Sequence, residues 1–209
     1  DQYFKQKDCL LMTLTNHDRQ VLNDIIREEL ITQGMLTGKP LNTIILEPQH
    51  LTEVERSRVN NFKEGQLLRF SSANKSLGID KGAYCPIVEI KPQQNICIIE
   101  NSRGEKVAYR PKDYKEGCHS GIEVYANQNR EICQGDLIRF TRSNKTLGFK
   151  GGSSFSVTAI NGETVSVKMD DGTFKTMDLR QRDHQHWDHA YAVTVHFAQG
   201  KTSTNVVAL

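Results

Sequence analysis

The sequence contains no hydrophobic run that approaches the roughly 20 residues needed to cross a bilayer. Its start, Asp1-Gln-Tyr-Phe-Lys5, also has no apolar segment of the kind found in signal peptides. We therefore expect a soluble, cytoplasmic protein without membrane insertion. Because the chain begins with Asp1 rather than Met, the sequence also predicts a fragment of a larger protein.

Cysteine is scarce and irregularly spaced. The five residues are odd in number and show no Cys-x-x-Cys spacing: Cys9, Cys85, Cys97, Cys118 and Cys133. This pattern indicates reduced thiols rather than a disulfide framework or a zinc knuckle. The histidines His184, His186 and His189 leave two interpretations open. They could belong to a metal site, or to a polar linker, because the spacing supplies no third convergent ligand.

A phosphate-binding loop is missing as well. Gly200-Lys-Thr202 has the end of such a loop, but Val195 stands where its first glycine is required. We recognise no nucleophile with a neighbouring base and no cluster of metal ligands. The sequence therefore predicts no catalytic site, no cofactor and no small-molecule substrate in this chain.

What the sequence does contain is one segment that occurs twice. Residues 65–78 align without gaps to residues 135–148, and the copies share Gly, Leu, Arg, Phe, Asn, Lys, Leu and Gly at equivalent positions. The likeness continues, since Gly82 matches Gly152 and Ile87 matches Val157. Two small domains of one fold are therefore expected in tandem.

Each copy has the pattern of short antiparallel strands. A glycine opens an alternating strand, a polar Asn-Lys turn and a short Leu-Gly strand follow, and an apolar hairpin closes the copy. Such spacing predicts a small barrel of roughly 50 to 60 residues, and we interpret both copies as Src-homology-three-like β-barrels. Phe70 and Phe140 alternate with arginine and are expected in the barrel cores, with base stacking as the alternative.

The flanking segments have the pattern of an α/β domain. The apolar residues 9–14 predict a strand of a parallel sheet. Thr15 or Asn16 then caps a helix that ends at Gly34, with one apolar stripe formed by Val21, Leu22, Ile25, Ile26 and Leu30. Residues 43–46 predict a strand that Pro48 ends, and residues 52–55 form a capping box for a helix reaching about Phe62. Residues 122–125, 192–195 and the run at Val206 predict further strands.

The end of the chain carries a family resemblance. Asp188-His-Ala-Tyr-Ala-Val-Thr-Val-His-Phe-Ala-Gln-Gly-Lys-Thr202 resembles the late helicase motif of RecD-type superfamily-one DNA helicases, and is most similar to that of conjugative relaxase-helicases of the TraI and TraA kind. The barrel residues 135–152, and the segment from Leu14 to Arg27, resemble other parts of the same helicases in the same order.

The resemblance implies a fold and a division of the chain. The α/β part would be a partial RecA-like lobe, interrupted by two all-β barrels. Residues 1–37 would begin the lobe, residues 38–120 and 121–182 would each hold a barrel, and residues 183–209 would return to the lobe. The parent protein would be an ATP-dependent DNA helicase and DNA relaxase that uses ATP and a divalent metal ion.

Departures from the family pattern bear on function. Phe197 replaces the usual Lys, Thr204-Asn205 replaces Val-Asp, and the phosphate loop is absent. We therefore interpret the chain as a vestigial, non-catalytic helicase region that binds single-stranded DNA, serves as a translocation signal for type IV secretion, or both. Its partners would be single-stranded DNA and the type IV secretion coupling protein, with export through that system. The alternatives are a segment of an active RecD-like helicase and a pure protein-interaction module.

Candidate DNA-binding residues come from both regions. The barrels offer cations, and the late motif offers family-matched positions: Arg69, Lys75, Arg139, Arg142, Lys145 and Lys150, then Thr194, His196, Gln199 and Gly200. Residues 34–182 contain 22 Lys and Arg against 17 Asp and Glu, and this net charge of +5 permits a nucleic-acid partner. The alternatives are solvated surface charges for the cations, a structural remnant for the motif, and a packing anchor rather than a stacking platform for Trp187.

Overall fold

The apolar run near the start of the chain forms the middle strand of a parallel sheet. A computed structural model describes residues 9–111, 121–169, 171–198 and 205–208. The sheet has the order β13-β1-β14, from β1 (Cys9–Thr13), β13 (Ala192–Thr194) and β14 (Asn205–Ala208). Leu11 lies opposite Ala192, and Cys9 lies opposite Asn205. The predicted parallel α/β element is confirmed, although Val206 is half exposed rather than buried.

Helix α1 (Asn16–Thr32) follows β1 as expected, with the side chain of Thr15 accepting a hydrogen bond from the Asp18 amide. Gly34 follows the helix with a positive φ of 68°, where glycine is favoured. The predicted apolar stripe is only partly correct. Ile26 and Leu30 are buried, but Val21 and Ile25 are 42% and 55% exposed. The residues that replace them on the buried face are Arg19, Asn23 and Arg27.

The first repeat lies in a six-stranded sheet of order β2-β7-β3-β4-β5-β6. Its strands are β2 (Thr37–Pro48), β3 (Leu67–Phe70), β4 (Tyr84–Lys91), β5 (Ile96–Glu100), β6 (Lys106–Tyr109) and β7 (Ile122–Gln134). Phe70 contributes to a core with Leu68, Ile79 and Ile99, which confirms its predicted place.

The helix expected to reach Phe62 is shorter than predicted. The Thr52–Glu55 capping box is present, but helix α2 (Glu53–Arg56) ends after one turn and a 3-10 turn, Val59–Asn61, follows. Asn95 explains the break, because its side chain donates to the Ser57 carbonyl and accepts from the Val59 amide, both at 2.9 Å. Asn95, which is 36 residues from Val59 in the sequence, thus binds the backbone amide and carbonyl that a longer helix would have hydrogen-bonded within itself.

The second repeat lies in a five-stranded antiparallel sheet of order β11-β10-β9-β8-β12. Its strands are β8 (Leu137–Phe140), β9 (Ser154–Asn161), β10 (Thr164–Met169), β11 (Phe174–Asp178) and β12 (Trp187–His189). Phe140, buried as predicted, packs against Phe149 with ring centroids 4.6 Å apart. The short helix α3 (Val195–Ala198) follows β13.

The two repeats have the same backbone pairing. Leu68 lies opposite Cys85 in the first copy, and Ile138 lies opposite Phe155 in the second. The predicted Leu-Gly strand is a single antiparallel bridge instead, between Asn74 and Ile79 and between Asn144 and Phe149. The sequence repeat therefore corresponds to a repeated arrangement of paired strands and turns.

The chain divides into two units that are described separately. One contains the described residues up to Thr43 together with those from Arg130 onward, and the other is Ile44–Asn129. Strands β2 and β7 each run across the boundary. The prediction that an α/β part is combined with antiparallel β parts is confirmed by the parallel sheet with its helix and by the two antiparallel sheets. No helix in the described ranges combines the length and apolar character that a membrane span requires.

Candidate nucleic-acid interface

Three polar residues at four-residue spacing, Arg19, Asn23 and Arg27, share the buried face of α1 with Ile26 and Leu30. Asn23 accepts a hydrogen bond from the Ala192 amide at 2.9 Å and donates to the Ala192 carbonyl at 3.4 Å. Arg19 donates to Asp188 at 2.6 Å, and both side chains are less than a tenth exposed. Since residues four apart lie on one helix face, α1 fixes β12 and β13 through polar contacts.

Arg27, the third of these residues, binds the fully buried carboxylate of Asp136. Its Nε lies 3.2 Å from each Asp136 oxygen, and its Nη1 lies 3.1 Å from exposed Glu131. The Tyr191 hydroxyl and the Cys133 amide also donate to Asp136, both at 2.6 Å. Although burial opposes its charge, the Asp136 carboxylate raises the pKa of Arg27 above its usual value.

The three histidines are buried, His184 in a 3-10 turn and His189 in strand β12, so the polar-linker interpretation is wrong. Trp187 is fully buried in β12 and lies opposite Phe140, which confirms that it is a packing residue. His184 Nδ1 accepts a hydrogen bond from the Asp178 amide at 2.9 Å. Burial lowers the pKa of His189. Among the described residues, no three His, Cys, Asp or Glu side chains are grouped closely enough to hold a metal ion.

The equivalent arginines of the two repeats have different surroundings. Arg69 is half-buried, donates to Glu123 at 3.2 Å and lies over the Tyr84 ring. Arg139 is 9% exposed, and its guanidinium carbon lies 4.3 Å from the centroid of the Phe197 ring. Burial, with the charge of Arg19 adding to it, lowers the pKa of Arg139 to about 10. The two arginines lie in different units.

Phe197, the residue that replaces the family lysine, covers Arg139 and packs on Gly152. A Cβ added to Gly152 would lie 2.9 Å from the Phe197 ring, and the glycine has a φ of 89°. Both the space and the backbone conformation therefore require glycine at this position. Phe197, Gly152 and Arg139 thus form one packed group.

The loop between β8 and β9, residues 141–153, carries three of the predicted cations and no acidic residue. Lys145 and Lys150 are exposed, while Arg142 is half-buried with its Nη1 3.7 Å from Asp183. The Ser143 hydroxyl accepts from the Gly151 amide at 2.9 Å, which holds the two ends of the loop together. The β3–β4 loop, residues 71–83, has Lys75 and Lys81 but also Asp80. The second copy therefore presents the more positive loop.

The late-motif residues are only partly described. Thr194 ends β13 and is half-buried, and His196 is exposed in α3. Gln199 and Gly200 lie outside the described residues. The structure brings the motif to the β8–β9 loop through Phe197, which sequence reasoning did not assign to the site. The sequence contains one indication that Phe197 is special, which is that phenylalanine stands where the family has lysine.

Comparison with known proteins gives an independent result. No protein-family model matches the chain. The multifunctional conjugation protein TraI of Escherichia coli is 27% identical over 207 residues, which cover 98% of this chain. The resemblance to conjugation proteins of the TraI kind is confirmed. TraI of Escherichia coli strain K12 is 26% identical over the same length, and the chain spans 11% of the length of either TraI.

Solved helicase structures show a weaker likeness. Two Pif1 helicases that coordinate the unwinding of forked double-stranded DNA give a TM-score of 0.44 and 11% identity, covering 96% of this chain and 32% of theirs. Bacteroides Pif1 bound to single-stranded DNA gives a TM-score of 0.43 and 11% identity, covering 97% of this chain and 34% of that one. Both TM-scores are low.

Proposed function

We propose that this chain is a non-catalytic part of a multifunctional conjugation protein and binds single-stranded DNA. The similarity to TraI over 98% of the chain supports a role in conjugation. The observation that carries the DNA-binding proposal is the β8–β9 loop, which presents Arg142, Lys145 and Lys150 without an acid in the loop. Exposed cations such as Lys145 and Lys150 contact phosphates irrespective of base sequence.

The proposal includes the finer architecture. The two antiparallel sheets are Src-homology-three-like barrels, inserted between residues 1–37 and 183–209 of a RecA-like lobe. The equal pairing of the two repeats supports one fold for both. The parent protein, a bacterial cytoplasmic DNA relaxase and helicase, uses ATP and a divalent metal ion outside this chain.

The test is fluorescence anisotropy with a labelled single-stranded oligonucleotide at several salt concentrations. Replacing Lys145 and Lys150 with alanine removes two phosphate contacts, so the slope of log K against log salt becomes shallower by roughly 1.4. Replacing Lys75 and Lys81 with alanine removes the same charge from the first copy and serves as the matched control. A smaller change in that control is expected.

Two results would contradict the proposal. The wild-type chain could fail to bind the oligonucleotide even at low salt. Alternatively, both double variants could weaken binding equally, which would mean that net charge rather than the β8–β9 loop controls the affinity.

A second candidate function, recognition by the coupling protein of a type IV secretion system during export, is favoured by the outer face of α1 and the residues after it. Val21, Ile25, Ile31 and Met35 are each more than 40% exposed. Adjacent exposed apolar side chains are typical of protein-binding surfaces, and Val21 and Ile25, four residues apart, lie on one face of α1. Replacing Ile25 with lysine is expected to abolish capture by purified coupling protein while leaving DNA binding unchanged.

A further inference from the structure

Within the described part of the chain, no residue accepts a hydrogen bond from the guanidinium group of Arg139. Among the described residues, its Nε is buried without a hydrogen-bond partner, and no carboxylate lies within ion-pair distance of the side chain. A guanidinium has five N–H donors, and leaving such a charge buried and unpaired is costly. The ring of Phe197 offers a cation–π contact but accepts no N–H hydrogen bond in the guanidinium plane.

In the first repeat the equivalent arginine has a carboxylate partner, although its Nε is also buried without a hydrogen bond. Arg69 lies opposite Glu123 on the neighbouring strand and donates to it. Arg139 likewise lies opposite an acid, Asp188, on β12. The oxygens of Asp188 accept instead from Arg19 at 2.6 Å and from Arg130 at 3.4 Å. The cross-strand acid of the second copy is therefore committed to α1 and β7.

The electrostatics around Arg139 favour an anion. Burial alone would raise the pKa of Asp188, but Arg19 and Arg130 hold it below its usual value, so the carboxylate is charged and already neutralised. Arg19 and Arg139 then repel each other, and among the described residues Asp188 is the one carboxylate that offsets the charge of Arg139. An anionic group with several oxygens would satisfy the donors of Arg139 and relieve that repulsion.

We infer that Arg139 is the centre of a phosphate-binding site, covered by Phe197 in this structure, that takes a backbone phosphate of bound single-stranded DNA. The inference rests on the proposed function, because the β8–β9 loop would bring the strand to this place. Phe197 packs on Gly152, two residues from Lys150, so the cover and the basic loop adjoin. The phosphate reaches Arg139 when the ring of Phe197 swings away from it.

The experiment compares four forms of the whole chain: wild type, Arg139→Gln, Phe197→Ala and the double variant. Arg139→Gln is expected to weaken oligonucleotide binding about tenfold, because one charged hydrogen-bonding contact is lost, and to make the salt slope shallower by about 0.7. Phe197→Ala is expected to tighten binding, since no ring has to be displaced, and the double variant should behave like Arg139→Gln. Arg69→Gln is the matched control and should weaken binding less than Arg139→Gln does, because Arg69 already donates to Glu123.

A second measurement separates this site from the proposed function. The Arg139 Nε–H signal in a proton–nitrogen NMR spectrum, identified by its loss in Arg139→Gln, is followed while inorganic phosphate is added to wild type and to Phe197→Ala. We expect the signal to shift, and at lower phosphate concentration in Phe197→Ala.

The outcomes are distinct. If the Lys145/Lys150 variant loses DNA affinity but Arg139→Gln does not, the inference is overturned while the proposed function stands. If wild type binds no DNA, the proposed function fails. In that case a phosphate-induced shift of the Arg139 signal still supports an anion site, whereas an unchanged signal in both forms eliminates it. Thermal unfolding of Arg139→Gln confirms that the variant is folded.

Discussion

The Asp136 carboxylate receives hydrogen bonds from three separate segments of the chain. Arg27 comes from α1, the Cys133 amide from β7 and the Tyr191 hydroxyl from the segment before β13. The carboxylate has no solvent exposure, so these donors replace its hydration. Removing one member of a buried charged pair leaves the other charge unsatisfied, which is more damaging than losing an exposed pair.

Asp136 and Glu131 both bind Arg27, so the pair permits a controlled comparison. We expect Asp136→Ala to lower the free energy of unfolding by about 3 to 5 kcal/mol. Glu131→Ala, which removes a half-exposed partner, should lower it by less than about 1 kcal/mol. Urea denaturation of the three proteins measures both changes. Equal losses would show that burial of Asp136 contributes nothing beyond the ion pair.

The buried face of α1 shows where residue patterns mislead. Helical periodicity correctly predicted the inward position of Ile26 and Leu30. It wrongly placed Val21 and Ile25 there too, because hydrophobic periodicity counts only apolar residues as buried and assigns arginines such as Arg19 and Arg27 to the surface. Their acids, Asp188 and Asp136, lie 169 and 109 residues later in the chain. Only the fold reveals that these charges meet.

Among the connecting elements, the bridged turns of the two repeats are closed by different side chains. Asn101 donates to the Leu77 carbonyl at 2.9 Å and also accepts from the amides of Arg103 and Glu105. In the second copy, Lys175 donates to the Leu147 carbonyl at 2.7 Å. The same backbone loop is therefore secured by an amide in one copy and by an ammonium group in the other.

This difference predicts unequal stability effects. Asn101→Ala should lower the free energy of unfolding by about 2 to 3 kcal/mol, because it removes three hydrogen bonds to backbone groups. Lys175→Met removes one donor and keeps most of the aliphatic stem, so about 1 kcal/mol is expected. Chemical denaturation measures both. A larger loss of unfolding free energy for Lys175→Met than for Asn101→Ala would contradict the expectation that Asn101 stabilises its turn more strongly.

At the level of elements, sequence reasoning succeeded where the signal is local. The capping box of Thr52 and Glu55, the glycine after α1 and the repeated strands all depend on neighbouring residues. It failed for the end of α2, which Asn95 sets from a distant turn. It also failed for β12, where two histidines and an aspartate surround Trp187 and conceal a fully buried strand. Of the candidate site, the cations of the β8–β9 loop were identified, but the cover formed by Phe197 over Arg139 was not.

For the molecule as a whole, the boundary between the two units is crossed by β2 and β7. Each unit has its own buried apolar cluster: one contains Leu68, Cys85 and Ile99, and the other contains Ile26, Leu30 and Tyr191. Separate cores allow separate unfolding, since local stability follows buried contacts.

Hydrogen exchange tests this independence. Asp136→Ala is expected to accelerate amide exchange in α1 and β8 while leaving β3, β4 and β5 at wild-type rates, because only one core is weakened. Mass spectrometry of peptides from both units measures the effect. Equal acceleration in β4 and β8 would show that the two units unfold as one.

The position of β12 has a mechanical consequence. It is the edge strand of its sheet, joined to β8 by three residue pairs, and only Ala190 and Tyr191 separate it from β13. Tension applied to the chain beyond β13 therefore reaches the His189 end of β12 almost directly once β13 is released. The strand then peels away one pair at a time, which requires less force than shearing all pairs together, and the last pair to open extracts Trp187 from the core.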